Sequence, residues 1–162
     1  MGKLLAIAAG LVLLAVVNFG IWQREQLLRD GDIVLLRLAP IDPRSLVQGD
    51  YMRLNFEIAR DSAIFAPAVK NPDGRIVVAL DGRGVASFRR FDDRRPLAPG
   101  EAYLRYRFRD GRPSFGTNAY FFQEGRAAVY AAAMFGEFRV GKGGDMILTG
   151  LRDERLRKLG PD

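Results

Sequence analysis

The stretch Arg75-Ile76-Val77-Val78-Ala79-Leu80-Asp81-Gly82-Arg83-Gly84-Val85-Ala86-Ser87-Phe88-Arg89-Arg90-Phe91 decides the fold class. Two runs rich in β-branched and aromatic residues flank Asp81-Gly82-Arg83-Gly84, whose glycines reach backbone angles that a tight reversal needs, so the segment predicts a β-hairpin. The same period-two grammar holds on both sides of it. Ile33 to Leu38 reads as a buried strand, and Asp50 to Ile58 alternates, with Met52, Leu54, Phe56 and Ile58 facing one way and Tyr51, Arg53, Asn55 and Glu57 the other. Asn71-Pro72-Asp73-Gly74 reads as a turn. Glu101 to Arg109 is a further strand, with Leu104, Tyr106 and Phe108 as its core face, closed by Asp110-Gly111. Gly141-Lys142-Gly143-Gly144 turns between Val140 and Met146 to Leu148. The alanine-rich run Arg126 to Met134 favours a short helix, and Arg152 to Asp162, alternating charge and leucine, a helical turn. The expected fold is therefore mainly β (α+β): a compact antiparallel β-sheet or barrel-like domain with one short helix.

Ahead of this pattern, Leu4 to Trp22 carries no charge. At 1.5 Å per residue it extends roughly 28 Å, close to the hydrocarbon thickness of a bilayer. Trp22 followed by Gln23-Arg24-Glu25 suits an interfacial end. A cleaved signal peptide would want a shorter apolar region and small residues at its cleavage site, and Val17-Asn18-Phe19-Gly20-Ile21-Trp22 offers no such pair. The reading is a single transmembrane helix. Residues 1–29 form an anchor with a juxtamembrane helix, and residues 30–162 an exported β-rich domain. The charge rule is nearly tied between Lys3 on one side and Arg24 and Arg29 on the other. The long C-terminal domain then favours an N-in orientation, because large domains translocate largely regardless of charge.

The 162 residues include no His and no Cys. That removes the usual general base, Ser-His-Asp and Cys-His catalysis, disulfides and the commonest metal ligands, so neither a metal nor a cofactor is expected. With 25 Lys+Arg against 19 Asp+Glu the net charge is +6, which favours anionic partners.

The most distinctive segment runs Asp42-Pro43-Arg44-Ser45-Leu46-Val47-Gln48-Gly49-Asp50-Tyr51-Met52-Arg53-Leu54-Asn55-Phe56. It resembles the bacterial membrane-anchored family named for its GDYXXLXY motif: Gly49, Asp50, Tyr51 and Leu54 match, and Phe56 stands in the place of the last Tyr. A hydroxyl that can be lost points to packing at that position. The resemblance extends to Tyr120-Phe121-Phe122-Gln123-Glu124-Gly125 and to Gly150-Leu151-Arg152-Asp153-Glu154. It implies an inner-membrane anchored protein encoded beside or fused to a multi-pass membrane protein, and it implies no activity.

The chemistry-bearing residues are weighed in that setting. Asp50 between Arg44 and Arg53 suits an ion pair pinning the loop to its strand. Tyr51 either closes that loop or lines a cleft. Asp42, Asp50, Glu57 and Glu124 would serve a hydrolase only if two of them were held at a defined separation. A dyad of Ser45 with Lys70 needs a desolvated lysine, and Ala68-Val69-Lys70-Asn71-Pro72 reads as exposed. Gly136 to Lys142 has the spacing of a phosphate-binding loop, but Gly143 replaces the Ser or Thr, and a hairpin is expected there. Arg105, Arg107 and Arg109 share a strand face with Tyr103. An exported domain meets no genome, so that face reads as solvated, or as meeting anionic lipid or an acidic partner surface, with no nucleic acid. The candidate binding or motif residues are Asp42, Arg44, Gly49, Asp50, Tyr51, Arg53, Leu54 and Glu124. The expected function is a non-enzymatic envelope module that touches lipid through its anchor and associates with a multi-pass membrane protein. The alternative is an anchored hydrolase using Ser45 or a carboxylate pair.

Overall fold

A computed structural model describes residues 2–40, 51–61, 63–64, 71–109 and 111–161. Helix α1 (Gly2–Asp30) has 29 residues, and its 25-residue part Ala6–Asp30 is long and apolar enough to cross a membrane. Leucine, alanine and valine dominate it, proline is absent, and Arg29 lies in its last turn, where a cation suits the carbonyl end of the helix. Along the apolar run the described side chains lie open, Leu11 62% and Leu13 68% exposed, and cover begins only near Leu27. Asn18, the one amide in the apolar run, donates to the Leu14 carbonyl at 2.9 Å and so satisfies part of its polarity within the helix. The helix closes when the Gly31 amide donates to the Leu27 carbonyl at 3.0 Å.

Strand β1 (Asp32–Arg37) follows at once. Then come β2 (Tyr51–Arg53), a 3₁₀ turn (Glu57–Arg60), β3 (Asp73–Leu80), β4 (Ala86–Phe91), β5 (Glu101–Arg109), β6 (Arg112–Phe115) and β7 (Ala119–Phe121). The one-turn helix α2 (Ala127–Tyr130), β8 (Phe135–Val140), β9 (Met146–Arg152) and β10 (Lys158–Leu159) complete the order. Two four-stranded antiparallel sheets, β1-β8-β9-β10 and β4-β3-β5-β6, and a two-stranded ribbon, β2-β7, curl around one apolar cluster. The sheets are stitched at Leu35, whose amide donates to Gly84 at 2.9 Å, and at the β8–β9 turn, where the Gly144 carbonyl accepts from the Arg105 amide at 2.8 Å. Gly144 has φ +85°, and a Cβ there would stand 3.1 Å from the Arg105 nitrogen, so this docked turn requires glycine.

The core holds Val34, Leu36, Leu54, Ile76, Val78, Leu104, Phe115 and Phe138, each 1% exposed or less. Burying one such side chain contributes about 1.5–3 kcal/mol. Tyr106 is buried with its hydroxyl donating to the Asn71 carbonyl at 3.0 Å, which removes the penalty of a dry phenol.

Four local expectations change. The alternation from residue 50 to 58 survives as burial, with Met52, Leu54 and Phe56 inside, but the ladder covers only Tyr51–Arg53. Beyond Arg53 the backbone divides its hydrogen bonds: the Leu54 amide donates to Asn118 at 2.8 Å and Asn55 accepts from Ala39 at 2.7 Å. Asp73 and Gly74 belong to β3 instead of a turn. The alanine-rich helix stops at Tyr130 because Met134 is claimed by tertiary bonds, its amide donating to Arg152 and its carbonyl accepting from Leu38, both at 2.8 Å. The C-terminal stretch forms a small antiparallel reversal onto β9, not a helical turn; the Asp153 carboxylate organises it by accepting from the Arg155 and Arg157 amides at 2.9 Å.

Candidate functional site

The strand that carries Tyr51 pairs with β7 in the register Tyr51↔Phe121, Met52↔Tyr120, Arg53↔Ala119. Alternation then sorts the ribbon into two faces. Met52 and Tyr120 turn inward, and Tyr120 packs edge-on against Tyr130 with centroids 5.2 Å apart. Tyr51 and Phe121 turn outward, their rings 5.8 Å apart, and Phe121 is 75% exposed. The ribbon thus presents one exposed phenylalanine beside a half-buried tyrosine.

Beside the ribbon lies a cleft of about 420 Å³ whose rim carries Arg53, Arg60, Arg109 and Arg112. Leu54, Phe56 and Phe115 are among the apolar residues below, and Ser114, Asn55 and Asn118 add hydrogen-bonding groups. Several elements deliver the arginines: β2, the 3₁₀ turn that packs on β6, and the β5–β6 hairpin, where Arg109 and Arg112 are direct cross-strand partners. Like charges directly opposite on a ladder repel. Among the described carboxylates, Arg109 has only Asp73 within ion-pair distance, at 3.9 Å with both side chains more than half exposed, and none lies within that distance of Arg53, Arg60 or Arg112. An anionic group entering the cleft would relieve that repulsion and meet forked donors suited to a carboxylate or a phosphate.

Two of the segments that the sequence marked as distinctive pair in this ribbon, through Tyr51–Arg53 and Tyr120–Phe121, and the family model described as GDYXXLXY protein matches residues 13–151. The chain belongs to that family. No curated protein and no solved structure matches it.

The GDYXXLXY motif therefore contributes Tyr51 to the outer face of the ribbon, Leu54 to the core at 1% exposure, and Arg53, between them, to the cleft. Phe56, where the motif has its last tyrosine, is 2% exposed and sits edge-on to Phe138 at 5.4 Å, a packing position. The candidates Asp42, Arg44, Gly49 and Asp50, with Ser45 and Lys70 of the dyad reading, lie outside the described residues. Glu124 stands exposed in the turn after β7, and Glu57 faces Arg37 at 3.6 Å on the surface. Neither lines the cleft. Arg60 and Arg112 were not legible as site residues, because only the non-local pairing of β2 with β7 and of the 3₁₀ turn with β6 brings them to Arg53. Arg109 carried a signal in the basic alternation of β5.

In the family segment Gly150 to Glu154, Arg152 and Asp153 hold structure together. Glu137, 7% exposed, accepts from Arg152 and from the Thr149 hydroxyl, the latter at 2.9 Å, and Arg152 also donates to the Leu156 carbonyl at 2.6 Å. The Arg157 amide, above all, holds the Asp153 carboxyl below its ordinary range. Among the described residues no group of acidic side chains is placed to hold a metal ion.

Proposed function

We propose that this protein is a non-enzymatic, single-span membrane module that associates with a multi-pass membrane protein. Its amino terminus is cytoplasmic and its β domain lies on the periplasmic face of the bacterial inner membrane. The observation that carries the reading is the arginine-rimmed cleft of Arg53, Arg60, Arg109 and Arg112 beside the exposed Phe121 and its half-buried neighbour Tyr51. Cations around an apolar floor, with an open aromatic pair next to them, suit an acidic, partly apolar segment of a protein partner. The uncovered α1 supports an intramembrane contact as well. Asn18 offers a polar group inside the span, and a Cβ placed at Gly10 meets nothing within 4 Å, which leaves room for close helix approach.

The test is affinity isolation of the full chain from membranes in several mild detergents, with a photo-crosslinking residue at Phe121. A crosslinked multi-pass protein, lost in the Arg53→Gln/Arg112→Gln variant, is the expected result. Recovery of the chain alone in every detergent, with no crosslink, overturns the reading. A reporter fused after Asp162 that is active only in the cytoplasm overturns the orientation.

A further inference from the structure

A second cleft, of about 1270 Å³, lies between the end of α1 and the β domain. Its helix wall contains Gly20, Trp22 and Arg24; the facing wall carries Arg105, Arg107 and Arg109 of β5 and Lys142 of the β8–β9 turn. Two of these cations have acidic neighbours: Arg105 meets Asp145, itself in the lining, at 2.9 Å, and Arg109 has Asp73 at 3.9 Å. Arg24, Arg107 and Lys142 have no described carboxylate within ion-pair distance, so the cleft keeps an excess of positive charge.

Its position along the helix identifies the ligand class. Trp22 ends the uncharged run and stacks on Phe19 with centroids 5.8 Å apart, the arrangement of an aromatic belt at the hydrocarbon boundary. Because Gly20 and Trp22 share a wall with Arg24, the cations of β5 and Lys142 face a helix segment at headgroup depth. A soluble anion would gain nothing from the apolar helix wall beside these cations. A phospholipid finds charge next to an apolar wall that continues into the bilayer.

We infer that this juxtamembrane cleft binds the phosphate headgroup of an anionic phospholipid, with Arg24, Arg107 and Lys142 as its principal cations. Phosphate oxygens meet the guanidiniums and the ammonium, and the glycerol and upper acyl chain lie along Gly20 and Trp22. The site is separate from the motif cleft except for the shared rim residues Arg109 and Ser114. It rests on the anchor reading of α1 and not on the existence of a protein partner.

The experiment compares three full-length forms in nanodiscs of phosphatidylcholine with and without phosphatidylglycerol, read by native mass spectrometry of retained lipid. The forms are the unaltered chain, the variant Arg24→Gln/Arg107→Gln/Lys142→Gln, and the equally discharged control Arg89→Gln/Arg126→Gln/Arg155→Gln. Each cation near a headgroup plane contributes on the order of fivefold. The site variant should therefore retain phosphatidylglycerol roughly a hundredfold more weakly than the control. Inorganic phosphate added as competitor should displace little lipid. Equal retention by site variant and control overturns the inference, and so does saturation of the cleft by inorganic phosphate with no lipid retained. Resistance of every form to alkaline extraction from membranes shows that insertion is intact, which separates failure of lipid recognition from failure of the anchor reading.

Discussion

The guanidinium of Arg139 on β8 donates a 2.8 Å hydrogen bond to the carbonyl of Gly31, 108 residues earlier, where α1 gives way to β1. The carbonyl belongs to the one residue that separates helix from sheet, so this contact fixes the direction in which the β domain leaves α1. A charged donor to a partly buried carbonyl contributes about 1.5–3 kcal/mol. Arg139→Gln should lower the urea-unfolding free energy of the detergent-solubilised protein by about that amount. It should also speed hydrogen exchange at Gly31 to Val34 while leaving β3 and β5 unchanged. Uniform exchange rates across both forms would show that the contact does not brace the junction.

Phe56 and Gly136 make a second pair that mutation can interrogate. A Cβ on Gly136 would lie 2.9 Å from Phe56 Cε1, 3.1 Å from Phe138 and 3.3 Å from Leu148, in a core with nowhere to move. Gly136→Ala should destabilise by about 1–3 kcal/mol, the usual cost of overpacking. Combining it with Phe56→Leu should cost less than the sum of the single changes, because the smaller side chain releases the collision. Additive costs in urea melts would mean that the two residues do not touch.

Acid sensitivity follows from the turns. Asp81 is held below its ordinary range chiefly by the Val85 amide, Asp92 by the Arg94 amide, Asp93 by the Arg95 side chain and Asp153 by the Arg157 amide. Each carboxyl gives up its proton more readily folded than unfolded. Their contribution is therefore complete above the unfolded value of 3.8 and is lost as pH falls through that value and on through the lower folded ones. The thermal midpoint should be flat between neutrality and about pH 5 and drop steeply below about pH 4. Asp153→Asn keeps an oxygen for the two amides but cannot titrate, so it should lower the neutral midpoint and shorten the acid drop. An acid limb identical to that of the unaltered chain would exclude Asp153 as one of its sources.

At the alkaline end, burial against Tyr130 pushes the Tyr120 phenol up to about 12. The unfolded chain ionises this group near 10, so its contribution to stability should be complete below that pH and be lost between about 10 and 12. Absorbance of tyrosinate should show a late component that Tyr120→Phe removes. Its absence, with all tyrosines rising together near pH 10, would place Tyr120 in contact with water.

What could be read ahead of the structure was whatever is local. Asp81-Gly82-Arg83-Gly84 and Gly141-Lys142-Gly143-Gly144 each combine the residues a reversal needs with flanking alternation, and both hairpins form between the strands they bracket. Glu101–Arg109 matches its strand at both ends because nine residues of clean alternation leave no competing period. The pairing of β2 with β7 was not legible: β2 lies within the alternation read from Asp50 to Ile58, but β7 has only three residues and joins it across nearly seventy residues of sequence. Pro113 and Gly116 likewise disguised β6, although the proline is buried at a cross-strand position opposite Phe108. In the candidate site, the motif pointed to Tyr51 and Arg53, whereas Arg60 and Arg112 join them only through tertiary packing. The basic face of β5 had been assigned to solvent, lipid or an acidic partner, and sequence could not show that α1 runs alongside it.

The unbroken run of α1 past Trp22 has one more implication. Eight further helical residues extend only about 12 Å past Trp22, and Gly31 alone intervenes before β1. The domain is therefore mounted on a short, stiff post without slack. On the anchor reading proposed above, its search would be confined to a thin layer over the lipid surface, where diffusion is two-dimensional. In that layer even a weak acidic ligand on a neighbouring membrane protein would be met at high effective concentration.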